Sequence, residues 1–195
     1  MTAHSTALFR RLALLVAVAL PFALTSCDST DSGGGGENTF LLPSQRVEFD
    51  FEFDGGDLDA EVLNDVFSEN TVNLIDFIED EGFTVDDVVS VTIAGNAAEF
   101  RIAQPPFNAG VNGFDEVRVS LRPEGASSAG SVVATGSGFN GASDTANLDL
   151  STTDFATIVQ TGAFEARLQL DPSALIQDTD YRIEVSFNVS VEVEG

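Results

Sequence analysis

Lysine and tryptophan are absent from all 195 residues, histidine occurs once, at His4, and cysteine once, at Cys27. Each absence removes a class of chemistry. Without Lys there is no Schiff-base amine, no Ser-Lys dyad and no G-x-x-x-x-G-K-[ST] phosphate loop. With the sole His four residues from the start, Ser-His-Asp and Cys-His arrangements and His-type zinc sites have no imidazole to draw on in the body of the chain. A single Cys cannot form a disulfide within one copy. Positive charge is scarce as well: eight Arg stand against 32 Asp and Glu, for a formal net charge of −24. A bilayer span needs roughly 20 apolar residues, and the one long apolar stretch, from Leu12 to Leu24, is interrupted by Pro21.

That stretch has another use. Residues 1–26 contain no acid, carry Arg10 and Arg11, and continue into Leu12, Leu14, Leu15, Val16, Val18, Leu20, Phe22 and Leu24. This is the charged start and short apolar run of a secretory signal. Its end, Leu24-Thr25-Ser26-Cys27, resembles the lipobox of bacterial lipoproteins: an aliphatic residue, two small residues, then the cysteine that receives lipid. The resemblance covers the first 27 residues only. It implies cleavage before Cys27 and acylation of Cys27, which would hold the domain on a membrane through lipid chains. Residues 27–37 read as a flexible tether, polar and then glycine-rich at Gly33 to Gly36, and residues 38–195 as the domain it carries. Asp28 resembles an inner-membrane retention signal in some Gram-negative bacteria, and acids after the cysteine resemble a surface-export signal in others. The expected address is the cell envelope, with the outer membrane favoured over the inner.

Two of the eight basic residues lie in the leader and none of the acids does. What remains holds six Arg against 32 acids, a net of −26. Such a surface repels a phosphate backbone, which excludes nucleic acid as a partner, and it equally disfavours docking of the domain on anionic headgroups. Most of these carboxylates must be solvated. They repel one another unless salt screens them, and the acid excess without Lys resembles proteins of salt-adapted bacteria.

The domain reads as all-β, a mostly antiparallel β-sandwich with one or two short helices near its N-terminus. Val47, Phe49, Phe51 and Phe53 alternate with four acids and predict a half-buried strand ending at Gly55-Gly56. Leu58, Val62, Leu63, Val66 and Phe67 have helical spacing, with Asp57 as cap. A second helical run carries Leu74, Ile75 and Ile78 to Gly82, and Thr84 with Asp87 resembles a capping box. From Val88 the period is two: Val89, Val91 and Ile93, then a turn at Gly95-Asn96, then Ala98, Phe100 and Ile102, and so on through eight or nine strands in all. Thr153 to Gln160 offers the one later helical segment. The longest run, Ile183 to Val193, predicts a long strand near the C-terminus, expected at an edge where it could pair with another chain.

Three groups of residues are candidates for a site. Asp50, Glu52 and Asp54 followed by Gly55 and Glu61 nearly fit the D-x-[DN]-x-[DN]-G-x5-E calcium loop. The period-two Phe pattern argues against such a loop, because a strand cannot curl around an ion. Asp76, Glu79, Asp80, Glu81 and Asp86 form a second acidic cluster that reads more simply as a solvated helix end. The segment Gln104 to Phe114 holds Phe107, Asn108, Asn112 and Phe114, a candidate ligand loop whose rings could equally plug the core. No catalytic residue is assigned and no cofactor is expected, calcium being the one candidate cation.

The expected function is therefore non-catalytic: a binding or structural domain at a membrane surface, anchored by lipid and meeting an envelope protein or glycan. The alternatives are a calcium-stabilised adhesion or carbohydrate-binding module and a carboxylate-only glycoside hydrolase, which would need only two positioned acids.

Overall fold

The computed structural model describes residues 38–59, 62–104, 110–140, 143–173 and 178–195. Nine strands run through them: β1 (Thr39–Leu41), β2 (Gln45–Asp54), β3 (Asn64–Val72), β4 (Val88–Gln104), β5 (Phe114–Pro123), β6 (Ser131–Ser137), β7 (Thr145–Leu150), β8 (Phe164–Pro172) and β9 (Asp180–Glu194). Every pairing is antiparallel. β9 takes β1 and β2 along one side and β4 along the other, and the order continues through β7, β6, β5 and β8 to β3. β7 meets β6 over only two positions, Ala134 opposite Leu150 and Thr135 opposite Asp149. The path bends at this thin junction. One half (β1, β2, β9, β4, β7) thus folds over the other (β6, β5, β8, β3), giving the expected all-β, sandwich-like architecture.

Period-two burial explains why these segments are strands. Val47, Phe49 and Phe51 of β2 face inward, as do Phe164, Ala166, Leu168 and Leu170 of β8 and the six apolar residues Ile183 to Val193 of β9. Across the two halves the Phe49 and Phe164 rings lie 6.0 Å apart, and Phe155 packs edge-on against Phe164. A second aromatic group, Phe53, Phe100, Phe114 and Tyr181, fills one end of the core. Phenylalanine suits this interior because its ring requires no hydrogen bond when buried.

The structure corrects three expectations about elements. Among the described residues from Leu58 to Phe67, none is in the expected helix. In its place stand a 3-10 turn at Gly55–Asp57, capped by Asp54 through a 2.9 Å bond from the Gly56 N–H, and then β3. Val62 and Leu63 are exposed, and pairing with β8 sets the period of β3. The Asn64 amide organises the approach to β3: its Oδ1 accepts from Asp59 N, and its Nδ2 donates to the carbonyls of Asp59 and Val62.

Gly95-Asn96 does not divide two strands. Gly95 to Ala98 lie opposite Phe187 alone, a wide bulge inside the single strand β4, and Gly95 supplies the positive φ of +101°. A smaller irregularity between Val88 and Ser90 turns Val89 outward. β9 is not an edge strand, since it is paired on both sides. Its clean alternation records one buried and one solvated face, which central and edge strands of an antiparallel sheet share.

Of the two α-helices among the described residues, α1 (Ile75–Asp80) stands where expected near the N-terminus of the domain, and α2 (Ala156–Val159), between β7 and β8, falls within the helical segment expected over Thr153 to Gln160. The Thr84–Asp87 capping box is present, and the side-chain and backbone hydrogen bonds from Thr84 hold the Asp87 carboxyl below its usual range.

Candidate functional site

Alternation along β2 leaves Arg46, Glu48, Asp50, Glu52 and Asp54 on the outer face of its sheet, opposite Asn188, Ser186, Glu184, Arg182 and Asp180 of β9. β4 adds Glu99 and Arg101 beside Ser186 and Glu184. Like charges meet at Asp50 and Glu184, an unfavourable cross-strand pair. The arginines relieve it from the flanks: Arg182 Nη2 lies 3.4 Å from Asp50 Oδ1, and Arg101 Nη1 lies 3.0 Å from Glu184 Oε2. Arg46 donates to the buried Ser186 hydroxyl at 2.7 Å.

A recess of about 420 Å³ opens at the far end of β2, lined by Glu52, Phe53, Asp54, Asp180, Tyr181 and Arg182. Phe53 and Tyr181 stack within it, 5.4 Å apart and 6° from parallel. The Arg182 Nε is buried and has no hydrogen-bond partner among the described residues. A second recess, of about 440 Å³, lies between the start of β2 and α1, with Arg46, Glu48, Asp76, Phe77 and Asp80 among its walls.

The calcium-loop residues are thus placed, and they do not converge. Asp50, Glu52 and Asp54 occupy alternate positions of one extended strand, and their carboxylates turn to different neighbours: Asp50 to Arg182, Asp54 to the Gly56 N–H, and Glu52 to solvent. Glu61 lies outside the described residues. In the second cluster Asp76, Glu79, Asp80, Glu81 and Asp86 are all exposed. Among the described residues no group of three or more His, Cys, Asp and Glu is placed to hold a metal ion.

The ligand-loop expectation is corrected in part. Phe114 is 1% exposed, enclosed by Phe53, Phe100 and Tyr181, so it plugs the core and cannot meet a ligand. Asn112 is half-buried in a 3-10 turn (Val111–Gly113), its Oδ1 without a partner among the described residues. Phe107 and Asn108 lie outside the described residues, as do Leu24, Thr25, Ser26 and Cys27. Among the described residues no helix is long and apolar enough to cross a membrane.

The outer faces carry groupings that motif reading missed. Arg122 and Glu165, 43 positions apart, meet at 2.6 Å with both side chains 14% exposed, and the Arg122 guanidinium covers the Phe67 ring at 4.0 Å. Asp65 accepts from both Arg167 and Gln169. Only the strand register, not a motif, brings these residues together. The arrangement as a whole offers hydrated carboxylates, fixed guanidinium groups and a rigid sheet, which suits surface recognition. Comparison with protein-family models, with curated proteins and with solved structures finds no match to this chain.

Proposed function

We propose that the chain is a cell-envelope lipoprotein whose domain binds a protein or glycan partner, or serves a structural role, without chemistry of its own. The observation that carries this reading is the junction Leu24-Thr25-Ser26-Cys27 behind Arg10, Arg11 and a short apolar run, with Cys27 the sole cysteine of the chain. Cys27 becomes the acylated first residue, residues 28–37 the tether, and the β-domain the displayed body, on the outer membrane in preference to the inner. The inventory after residue 26 supports the non-catalytic part. With no His or Lys there, general acid–base work would fall to carboxylates alone.

Replacing Cys27 with serine tests the anchor. In a Gram-negative host fed an alkyne-tagged fatty acid, the wild-type chain is expected to take up label and sediment with membranes, and Cys27→Ser to do neither. Label retained by the variant overturns the reading.

We also propose that the acid excess is an adaptation to salt. At about 1 M salt the screening length falls to roughly 3 Å, which removes most of the repulsion among 32 carboxylates. The ion pairs weaken too, but exposed pairs such as Arg118–Glu116, with side chains 36% and 38% exposed, contribute little. The melting temperature, followed by circular dichroism, is expected to rise by at least about 5 °C between 0.05 and 1 M NaCl. A flat or falling curve would assign the acids another role.

A further inference from the structure

β3 ends the strand order, β2 pairs with β9 alone at the other end beside β1, and β2 and β3 lie side by side without a ladder. Among the described residues, the hydrogen bonds that cross between them come from one side chain. Asn70 Oδ1 accepts from Asp50 N and Asn70 Nδ2 donates to Glu48 O, both at 2.9 Å. The side-chain amide thus satisfies two backbone groups on the free edge of β2 as a strand's peptide group would. On the opposite flank the two halves are joined by the two-position contact of β6 with β7.

The backbone of β3 is shaped to deliver this amide. Between Phe67 and Thr71 the register with β8 slips, so that Ser68, Glu69 and Asn70 stand opposite Ala166 alone. Ser68 takes over the interrupted ladder: its hydroxyl accepts from Ala166 N at 3.1 Å and donates to Asn70 O at 2.7 Å. The bulge therefore costs β8 little and leaves the Asn70 side chain free to reach β2. Immediately behind the contact lies Phe49, fully buried against Phe164 and Phe187.

We infer that Asn70 is the latch of a seam, and that β2 and β3 part there and fray locally from β9 and β8 while the β4–β9 and β5–β8 ladders stay closed. Local opening follows the weakest set of interactions, and a pair of side-chain bonds is weaker than a strand ladder. Opening would bare the β2 edge at Glu48 and Asp50 and the rim of the core at Phe49. The sandwich then has a built-in site of opening that does not require global unfolding.

Hydrogen exchange followed by mass spectrometry on the full chain tests this. In the wild-type protein, peptides from β2 and β3 are expected to exchange through openings nearly independent of low denaturant, while those from β5 around Val117 to Leu121, paired with β6 and β8, exchange only with global unfolding. Asn70→Ala should accelerate the β2 and β3 peptides about 10- to 100-fold and leave the β5 peptides within about threefold. Asn70→Asp, which keeps an acceptor for Asp50 N but cannot donate to Glu48 O, should accelerate the same peptides by a smaller factor. Uniform protection across β2, β3 and β5 in the wild type would overturn the inference, and so would acceleration of all strands together in the variants. Should Asn70→Ala fail to fold, the wild-type denaturant dependence decides the matter alone.

Discussion

Phe49→Ala is expected to destabilise the domain by about 4 kcal/mol, the usual cost of emptying a buried phenylalanine site. Phe49 is fully buried, and its ring lies 6.0 Å from both Phe164 and Phe187. These neighbours come from β8 and β9, so the truncation removes a wedge between the two halves of the sandwich. Strand backbones on both sides resist collapse into the space, which keeps the cavity open and places the cost at the upper end of the range. For a domain of this size the loss corresponds to a fall in melting temperature of roughly 8–16 °C. Leu41→Ala supplies the contrast, since Leu41 is 73% exposed and its truncation should stay within about 0.5 kcal/mol. Chemical denaturation of the two variants in high salt measures both numbers. Equal, small effects would mean that Phe49 is not a core residue.

Why that core was legible and other features were not has a physical answer. β2, β8 and β9 each carry one buried and one solvated face, and that contrast appears in the sequence as strict alternation. The helix expected from Leu58 to Phe67 failed because its apolar residues happen to recur at helical spacing while serving separate purposes. Leu58 is half-buried, Val62 and Leu63 are exposed, and Phe67 points outward beneath Arg122. Local spacing was outweighed by partnership with β8, more than 90 residues away. The Gly95-Asn96 pair illustrates a related ambiguity. A glycine at positive φ ends a strand in a hairpin and also permits a bulge within one, and only the ladder to β9 distinguishes the two.

The candidate sites were less legible than the fold. Asp50, Glu52 and Asp54 have the spacing of a calcium loop, yet the Phe residues between them require an extended backbone, and the same six letters cannot satisfy both geometries. Phe114 looked like a loop residue because of the Asn and Pro around it, although its ring is in the core. Asn70 carried no signal of its own. A serine two residues before an asparagine in a polar stretch is common, and its meaning emerges only when the bulge in β3 brings it to β2.

The Arg122–Glu165 pair supports the second large prediction. Both side chains are 14% exposed, and Arg122 uses Nε and Nη2 on one carboxylate oxygen of Glu165 while its flat face covers Phe67. Removing one partner leaves the other charge in a poorly hydrated place, which typically costs about 3–5 kcal/mol for a buried pair. With some solvent access remaining here, Glu165→Ala is expected to cost about 3 kcal/mol. Arg122→Ala should cost somewhat more, since it strands Glu165 and also uncovers the Phe67 ring. The double variant is the informative one. If desolvation of the orphaned charge dominates, Arg122→Ala with Glu165→Ala together should cost at least about 2 kcal/mol less than the two singles added, a coupling that exposed pairs do not show. Arg118→Ala with Glu116→Ala provides the exposed comparison on the same strand, where coupling should stay below about 1 kcal/mol. The strongly acidic composition sharpens the contrast. In a chain with 32 carboxylates, any glutamate is already in a negative field, so its burial depends on the arginine opposite it in the register. Additive single-variant effects at Arg122 and Glu165 would show that the pair is hydrated in solution and that β5 and β8 are held by their ladder alone.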